Sequence, residues 1–490
     1  MIRAMLFNCK KRSQTAVIEG GREISYQELI CKATALGNYL QQEQSPNVAV
    51  FLPDGADYIA AFWGTIAYGK AVLPLNVRMT EYEVIPLLMQ VGAGIVITST
   101  AFRSLFEKGL VDEGLQLKMV YMEELAVFPN QKDWIAPDTD EDRTMVLLNT
   151  SGTTDRAKIV KLSSRNIESS VRGYLAKVEL SESERTDIRM VLAVPFSSAY
   201  GIMILVACLL MELPIILLEN DFTLASFYQL IEKYQITHYE GSASIIPMME
   251  QMAGRDSSYN ISSFRYLGFG GSKVSGRSVA NVMRAYPAIE FSQGYGMTEA
   301  SPLIAKRPRG MVGKEESAGT AINGVGIAVA TESGLSAEPG VMGEILVKGA
   351  NVMLGYYENQ LETEAAVRDG YLYTGDIGYL DEDGFLYICG RKKNVIIIRG
   401  FNVYPEELES CVQNSLLVKD CLVYGLTDDS GVESVCLEIV PVHPGITEKE
   451  IWEYCRSHLA DYKQPHHITI CKTIKKNLSG KTERRKEQAI

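Results

Sequence analysis

The chain of 490 residues lacks the features that mark several specialised classes of protein. Its nine cysteines include no Cys-x-x-Cys pair, so neither a zinc site nor a disulfide framework is predicted. Reduced cysteines favour the cell interior, and we expect a cytoplasmic location. The net charge of −12 argues against nucleic acid as the main partner.

Long apolar runs are also missing. Residues 1–13 contain no sustained apolar core, so no signal peptide is expected. The best membrane candidate, residues 201–218, is interrupted by Glu212 and Pro214, which leaves apolar pieces too short to span a bilayer. We therefore predict no membrane span, and we interpret this segment as a buried helix followed by a strand.

Two common catalytic patterns are absent as well. The chain has five histidines, four of them after residue 442, and no Gly-x-Ser-x-Gly turn accompanies His238. A Ser–His hydrolase is therefore excluded. Gly480-Lys481-Thr482 resembles the end of a Walker A loop, but residue 475 is lysine where that motif requires glycine.

The apolar pattern predicts a mixed α/β and α+β fold. Continuous apolar runs at 48–52, 94–98, 191–194 and 214–218 alternate with helical patterns, which indicates parallel sheets covered by helices on both faces. Glycine and turn signals become denser after residue 310, as expected for a β-rich subdomain. From about residue 393 a compact α+β unit follows, with helices predicted at 405–417 and 447–459 and strands at 418–426 and 435–442. We predict domains at 1–391 and 392–490.

Residues 150–158 read Thr-Ser-Gly-Thr-Thr-Asp-Arg-Ala-Lys and follow the apolar run 145–148. A loop of hydroxyl groups and backbone N–H groups after a buried strand is suited to binding phosphate. The alternative is an ordinary Ser/Thr-rich turn. The candidate phosphate ligands are Thr150, Ser151, Gly152, Thr153, Thr154 and Lys158.

Further motifs lie downstream in a characteristic order. Residues 292–299 read Ser-Gln-Gly-Tyr-Gly-Met-Thr-Glu, residues 374–378 read Thr-Gly-Asp-Ile-Gly, residues 390–393 read Gly-Arg-Lys-Lys, and residues 479–484 read Ser-Gly-Lys-Thr-Glu-Arg. Together with the loop at 150–158 they resemble the core motifs of the adenylate-forming superfamily, which includes acyl-CoA synthetases, peptide-synthetase adenylation domains and luciferases. The resemblance covers nearly the whole chain. It implies a large N-terminal domain, a small mobile C-terminal domain and an active site between them.

The resemblance also implies residue roles. Lys481 would be the catalytic cation that bridges the substrate carboxylate and the α-phosphate, and Lys393 would be the hinge. Glu299 would bind Mg²⁺, and Thr298 would contact phosphate. Tyr295 would stack on adenine. The remaining nucleotide-binding residues would be Gly270, Gly271, Ser272, Gly294, Gly296 and the two ribose contacts Asp376 and Arg391.

The sequence departs from the family pattern at several positions. The phosphate loop has Asp155, Ala157 and Ile159 where Gly, Pro and Gly are usual, and the extra carboxylate should weaken ATP binding. Alternatively, Asp155 faces solvent or caps a helix near Ala157. Ser198 replaces a histidine that borders the acyl pocket in many acyl and aryl synthetases, and Gly294 would line the same pocket. The aspartate that holds an amino-acid substrate is missing, which disfavours an amino acid.

The resemblance implies an acid–thiol ligase. It would use ATP and Mg²⁺ to convert a carboxylic acid into an acyl-adenylate and pyrophosphate, and would then transfer the acyl group to the thiol of CoA. Two alternatives remain open: an enzyme that loads a carrier-protein pantetheine, and a nucleotide-binding homologue without turnover. The motifs carry no information on the acid or on the oligomeric state.

Overall fold

The structure is a computed structural model and describes residues 2–106, 117–126, 140–150, 157–218, 222–253, 259–398, 401–427 and 433–475. The first sheet holds the strands that carry Gly270, Gly294, Tyr295 and Gly296 of the predicted site. Its central strands, Met190–Ala193, His238–Ser242, Tyr266–Gly270 and Glu290–Gly296, are parallel neighbours. In spatial order the sheet runs Thr320–Ala321, Leu303–Lys306, Glu290–Gly296, Tyr266–Gly270, His238–Ser242, Met190–Ala193, Ile215–Ile216, Thr15–Glu19 and Arg22–Ser25.

A second sheet lies N-terminal in sequence and is also largely parallel. The strand Asn47–Phe51 is buried at every position and pairs in parallel with strands on both sides, which accounts for its continuous apolar run. The predicted parallel sheets are therefore confirmed. The order is Gly355–Tyr356, Lys158–Ser163, Thr144–Thr150, Ala71–Pro74, Asn47–Phe51, Ile95–Thr98 and Lys118–Tyr121.

A third sheet, formed after residue 310, is antiparallel and confirms the predicted β-rich subdomain. The long strand Tyr371–Leu380 bends at a register shift and pairs with Leu386–Arg391. This pairing places Asp376 directly opposite Arg391. The order is Gly334–Ser336, Val325–Thr331, Gly343–Gly349, Tyr371–Leu380 and Val367–Arg368, with Leu386–Arg391 branching from Tyr371–Leu380.

Helices cover these sheets, and side-chain caps define several of their starts. Ser25, Ser163 and Thr447 each accept a hydrogen bond from a backbone N–H three residues later. Such caps satisfy N–H groups that have no partner inside the helix. The helices are Tyr26–Gln41, Ala56–Ala67, Glu81–Val91, Ser164–Val178, Glu182–Arg185, Ala199–Leu210, Leu224–Tyr234, Ile245–Met252, Gly276–Ala285, Gln360–Ala366, Pro405–Gln413 and Glu448–His458.

The segment 201–218 forms the buried helix Ala199–Leu210 followed by the short strand Ile215–Ile216, as predicted. This helix is apolar on nearly all sides because it packs inside the large core rather than at its surface. In the part of the chain that the structure describes, no helix has the length and apolarity needed to cross a bilayer.

The C-terminal unit has its own hydrophobic core, built from residues between Ile396 and Cys455. Its strands are Ile396–Ile398, Phe401–Val403, Val418–Thr427, Glu433–Pro441 and His467–Ile470. The helix predicted to reach residue 417 ends at Gln413, because the backbone turns through a left-handed conformation at Leu416 (φ 66°) before the next strand. The predicted boundary between residues 391 and 392 stays a prediction.

Candidate active site

Three of the predicted nucleotide-binding residues form one hydrogen-bonded group. The Tyr295 hydroxyl donates to Asp376 Oδ2 at 2.6 Å, and Arg391 Nε lies 2.7 Å from Asp376 Oδ1. The Asp376 carboxylate is therefore held from both sides and is nearly fully buried. A fixed carboxylate can accept hydrogen bonds from the two hydroxyl groups of a ribose diol.

The fold brings this group together from separate elements. Tyr295 lies near the end of Glu290–Gly296 in the first sheet, whereas Asp376 and Arg391 are paired strand residues of the third sheet. The Thr374 hydroxyl donates to Ile345 O and accepts from Asp376 N, which fixes the turn before the carboxylate. Burial, with the nearby Asp376 charge, raises the pKa of Tyr295 well above its usual value, so Tyr295 stays a neutral donor.

Glu299, the predicted Mg²⁺ ligand, lies four residues beyond Tyr295 in the short 3-10 helix Thr298–Ala300, which also holds Thr298. Its side chain is only 9% exposed, so it is not a solvated surface carboxylate. Tyr356 donates its hydroxyl to Glu299 Oε1 at 3.0 Å, and Met353 N donates to Glu299 O at 2.9 Å. The carboxylate is thus oriented by the chain around residues 353–356.

The residues around Glu299 fit a nucleotide-linked magnesium ion. Among the described residues, no group of three or more His, Cys, Asp or Glu side chains is arranged to hold a metal. Mg²⁺ commonly takes one or two protein carboxylates and completes its shell with phosphate oxygens and water. A single oriented carboxylate with one oxygen engaged by Tyr356 matches that requirement.

Lys158 lies beside Tyr356, the residue that donates to Glu299. Its Nζ forms an ion pair with Glu362 Oε2 at 2.6 Å and lies 5.2 Å from the centre of the Tyr356 ring. Thr150 pairs with Lys158 across neighbouring strands and donates its hydroxyl to the Lys158 carbonyl at 3.3 Å. Lys158 and Arg391 are therefore both paired with carboxylates, and net positive charge for a triphosphate must come from other groups.

Two parts of the predicted phosphate site lie outside the described residues. These are the loop residues Ser151, Gly152, Thr153, Thr154 and Asp155, and the predicted catalytic cation Lys481. Their roles stay predictions. No helix begins at Ala157, which leads into the strand Lys158–Ser163, so the capping role proposed for Asp155 is wrong. That Asp155 faces solvent stays a prediction.

The predicted glycines lie at the ends of two adjacent parallel strands, beside Tyr295. Gly270 and Gly294 are paired on adjacent parallel strands, and a Cβ at Gly270 would lie 3.0 Å from Gly294 O. Gly271 has a φ of +87° and open space on its Cβ side, and Ser272 is exposed. Gly296 packs against Pro302, where a Cβ would lie 1.9 Å from the carbonyl oxygen, so this glycine is required by the fold itself.

Ser198 lies at the start of the helix Ala199–Leu210, and Lys393 lies at the start of the C-terminal unit. Ser198 caps the helix Ala199–Leu210, since its Oγ accepts from Gly201 N at 3.0 Å and donates to Pro195 O at 2.8 Å. A direct contact of Ser198 with an acyl group stays a prediction. Lys393 is exposed in the 3-10 helix Lys392–Asn394, where a hinge is predicted.

Sequence reasoning missed the side chains that orient the predicted ones. Tyr356 holds Glu299, and Glu362 holds Lys158. Glu344 accepts a hydrogen bond from Gly375 N and pairs with Lys392. Residues 340–356 also resemble the adenylate-forming superfamily, and this resemblance, which ends at Tyr356, is the one available signal for that residue. Glu344 lies within the same stretch, whereas Glu362 lies in none of the motifs described above.

Comparison with known proteins shows which family this chain belongs to. A family model described as AMP-binding enzyme matches residues 8–357, and the AMP-binding enzyme C-terminal domain matches residues 407–481. The Haemophilus influenzae long-chain-fatty-acid–CoA ligase is 27% identical over 96% of this chain and 91% of its own length. The Dictyostelium discoideum probable 4-coumarate–CoA ligase 1 is 30% identical over 91% of this chain and 86% of its own.

A solved structure shows the same fold. The Bacillus subtilis o-succinylbenzoate CoA synthetase in complex with its acyl-adenylate aligns with a TM-score of 0.83 at 23% identity, covering 99% of this chain and 98% of the other. The fold and site thus define a nucleotide-binding enzyme of the adenylate-forming class. This chain belongs to the AMP-binding enzyme family, and the predicted relationship to acyl-CoA synthetases is confirmed.

Proposed function

We propose that this protein activates a carboxylic acid with ATP and transfers the acyl group to the thiol of CoA. The observation that carries the proposal is the Tyr295–Asp376–Arg391 group, which fixes a buried carboxylate against Tyr295, the residue between Gly294 and Gly296. A ribose held by Asp376 and an adenine against Tyr295 would direct the phosphates toward Glu299 and the loop at 150–158. The family membership and the CoA ligases among the relatives support this assignment.

In the first half-reaction, a carboxylate oxygen of the acid attacks the α-phosphorus of ATP. The bond between the α-phosphorus and the bridging oxygen breaks, and pyrophosphate leaves. Both reactants are anions, so positive charge at the reacting centre lowers the barrier. Lys481 would supply a mobile cation there. Glu299, oriented by Tyr356, would hold Mg²⁺, which neutralises phosphate charge.

In the second half-reaction, the thiolate attacks the acyl carbon and AMP leaves. We assign CoA as the acceptor because the curated relatives above are named as CoA ligases. A carrier-protein pantetheine has the same thiol chemistry and is the competing acceptor. The thiol must approach after Lys481 withdraws, so the C-terminal unit would rotate about Lys393 between the two steps.

The two half-reactions can be measured separately. Pyrophosphate release from ATP and Mg²⁺ with a panel of acids tests adenylation, and chromatography after adding CoA tests thioester formation. We expect both to occur with at least one acid. A parallel reaction with a phosphopantetheinylated carrier protein tests the competing acceptor: faster acylation of the carrier than of CoA would overturn the CoA assignment. Absence of pyrophosphate release with every acid would overturn the proposed function and favour a homologue without turnover.

A further inference from the structure

The turn at residues 374–376 is a bulge in the third sheet. Glu344 pairs with Ile377 of the neighbouring strand, whereas Leu346 pairs with Tyr373 of the same strand. A step of two residues on one strand therefore spans a step of four on the other, and the turn projects from the ladder. Because the ladder cannot bind all backbone groups of the turn, their hydrogen bonds need other partners.

Side chains supply these partners. The Thr374 hydroxyl accepts from Asp376 N at 3.1 Å, and Arg391 donates to Thr374 O at 3.1 Å. Gly375 N donates to Glu344 Oε1, also at 3.1 Å. Two of these contacts come from the motifs that predict the ribose site, and the third comes from the neighbouring strand.

Gly375 depends on its contact with Glu344 because it has no side chain to restrain it. Its φ of +72° lies in the left-handed region that favours glycine, and glycine changes its backbone conformation more easily than other residues do. A hydrogen bond to a carboxylate is charge-assisted and stronger than one to a neutral acceptor. Glu344 thus holds in place the residue directly before Asp376.

The Glu344 side chain is itself held at both of its oxygens. It is only 9% exposed, and Oε2 lies 2.8 Å from Lys392 Nζ. Lys392 is 64% exposed, so this ion pair adds little to stability, but it engages the oxygen that Gly375 does not use. The carboxylate is therefore held with Oε1 directed at Gly375 N.

The position of this turn decides what Asp376 can bind. A ribose diol presents two hydroxyl groups, and one carboxylate accepts from both only when it is correctly rotated. Loss of the Glu344 acceptor would leave the half-buried Gly375 N–H without its partner, and the turn would move to find another one. A small rotation of the Asp376 carboxylate would then remove one or both bonds to the diol.

We infer that Glu344 is a positioning residue for nucleotide recognition. Through Gly375 it sets the Asp376 carboxylate, and this makes the protein prefer a nucleotide that has ribose hydroxyl groups to one that lacks them. The inference rests on the proposed function, because it takes Asp376 as the ribose ligand. Glu344 acts through the backbone of the turn and not through contact with the nucleotide.

The wild-type protein gives the first test. Titration calorimetry measures the Kd of ATP and of 2′,3′-dideoxy-ATP, each with Mg²⁺ and without an acid. We expect ATP to bind at least tenfold more tightly, and equal Kd values would overturn the inference. Pyrophosphate release with the panel of acids tests the proposed function separately. A preference for ATP without turnover would overturn only the proposed function, whereas absence of ATP binding would overturn both.

Variants of Glu344 give the second test. Glu344→Ala should reduce the preference for ATP to less than threefold, mainly by weakening ATP binding. Glu344→Gln should keep the preference within twofold of the wild type, because its amide oxygen still accepts from Gly375 N while the exposed Lys392 turns to solvent. Glu338→Ala, at an exposed position in the loop before the same strand, is the matched control and should change neither Kd.

Two results would contradict the role of Glu344. If Glu344→Ala weakens the binding of both nucleotides by the same factor, the residue supports the fold and not ribose recognition. If Glu344→Gln loses as much preference as Glu344→Ala, the ion pair with Lys392 is responsible and not the hydrogen bond to Gly375.

Glu344→Asp serves where the alanine variant does not fold. Its carboxylate keeps the charge but is withdrawn from Gly375 N by one methylene group. We expect the preference for ATP to fall at least threefold in this variant. An unchanged preference in the folded aspartate variant would overturn the inference.

Discussion

Among single residues, Tyr295 has two proposed uses, since its ring would stack on adenine while its hydroxyl holds Asp376. We predict that Tyr295→Phe raises the KM of ATP about tenfold and changes kcat less than threefold. A hydrogen bond to a charged group contributes about 1.5–3 kcal/mol, and about 1.4 kcal/mol corresponds to tenfold in affinity. Steady-state kinetics with varied ATP measure the effect.

Tyr228→Phe is the control for this change. It removes a similar hydroxyl, which contacts Tyr286 at 3.1 Å in a separate hydrophobic cluster. Its KM for ATP should equal that of the wild type. If the two variants shift this KM equally, Asp376 does not depend on Tyr295 for nucleotide binding.

The prediction for Lys481 rests only on the motif at 479–484, because Lys481 lies outside the described residues. Lys481→Ala should lower pyrophosphate release at least tenfold, or about 1.4 kcal/mol of transition-state stabilisation. Lys472→Ala, at an exposed position of the same basic stretch, should have no such effect. A smaller loss at Lys481 than tenfold would contradict its catalytic role.

At the scale of elements, the junction between the third sheet and the C-terminal unit is closely packed. A Cβ at Gly390, on the third sheet, would lie 2.5 Å from Glu406 Oε2 of the C-terminal unit. Arg277, on the helix Gly276–Ala285 between two strands of the first sheet, also donates to Asn414 O of the C-terminal unit. A rotation of the C-terminal unit would break such contacts while the backbone turns near Lys393.

We therefore predict that Lys393→Pro slows thioester formation more than adenylation. Proline holds φ near −65°, whereas a hinge has to change it. Single-turnover measurements of the two half-reactions give the ratio, and Lys393→Ala, which leaves the backbone free, is the control. Equal losses in both steps would argue against a hinge at this residue.

At the scale of the whole molecule, His238 makes stability depend on pH. It is buried in the first sheet, its Nδ1 contacts Thr237 Oγ1 at 2.8 Å, and it stacks on Tyr266. Burial, followed by the charges of Arg309 and Arg265, lowers the pKa of His238 to about 3. Below pH 6.5 the unfolded chain therefore binds a proton that the folded chain excludes.

The sign of the effect follows from this difference. The stability from neutral His238 is fully present above the unfolded pKa of about 6.5, and it is lost as the pH falls toward 3. Between pH 7.5 and 5.5 the loss is about 1.4 kcal/mol. Urea unfolding at both values should show it, and His238→Gln should reduce the difference between the two pH values. An unchanged difference in this variant would assign the pH dependence to other groups.

Much of the architecture could be predicted from local patterns. The run 48–52 predicts a strand buried on both faces, and the fold has Asn47–Phe51 there. Residues 447–459 predict a helix, and Thr447 caps Glu448–His458. These features depend on neighbours within a few residues, so composition and spacing are enough to recognise them. The order of the motifs likewise sufficed to recognise the family.

The contacts that orient the site were decided by tertiary structure alone. Glu344 meets Gly375 and Lys392 only in the folded sheet. Tyr356 and Glu299 are 57 residues apart, and Lys158 and Glu362 are 204 apart. Such pairs meet because sheet register and helix packing bring distant segments together. Local periodicity describes which face of an element is buried, but it does not specify which distant side chain lies against that face.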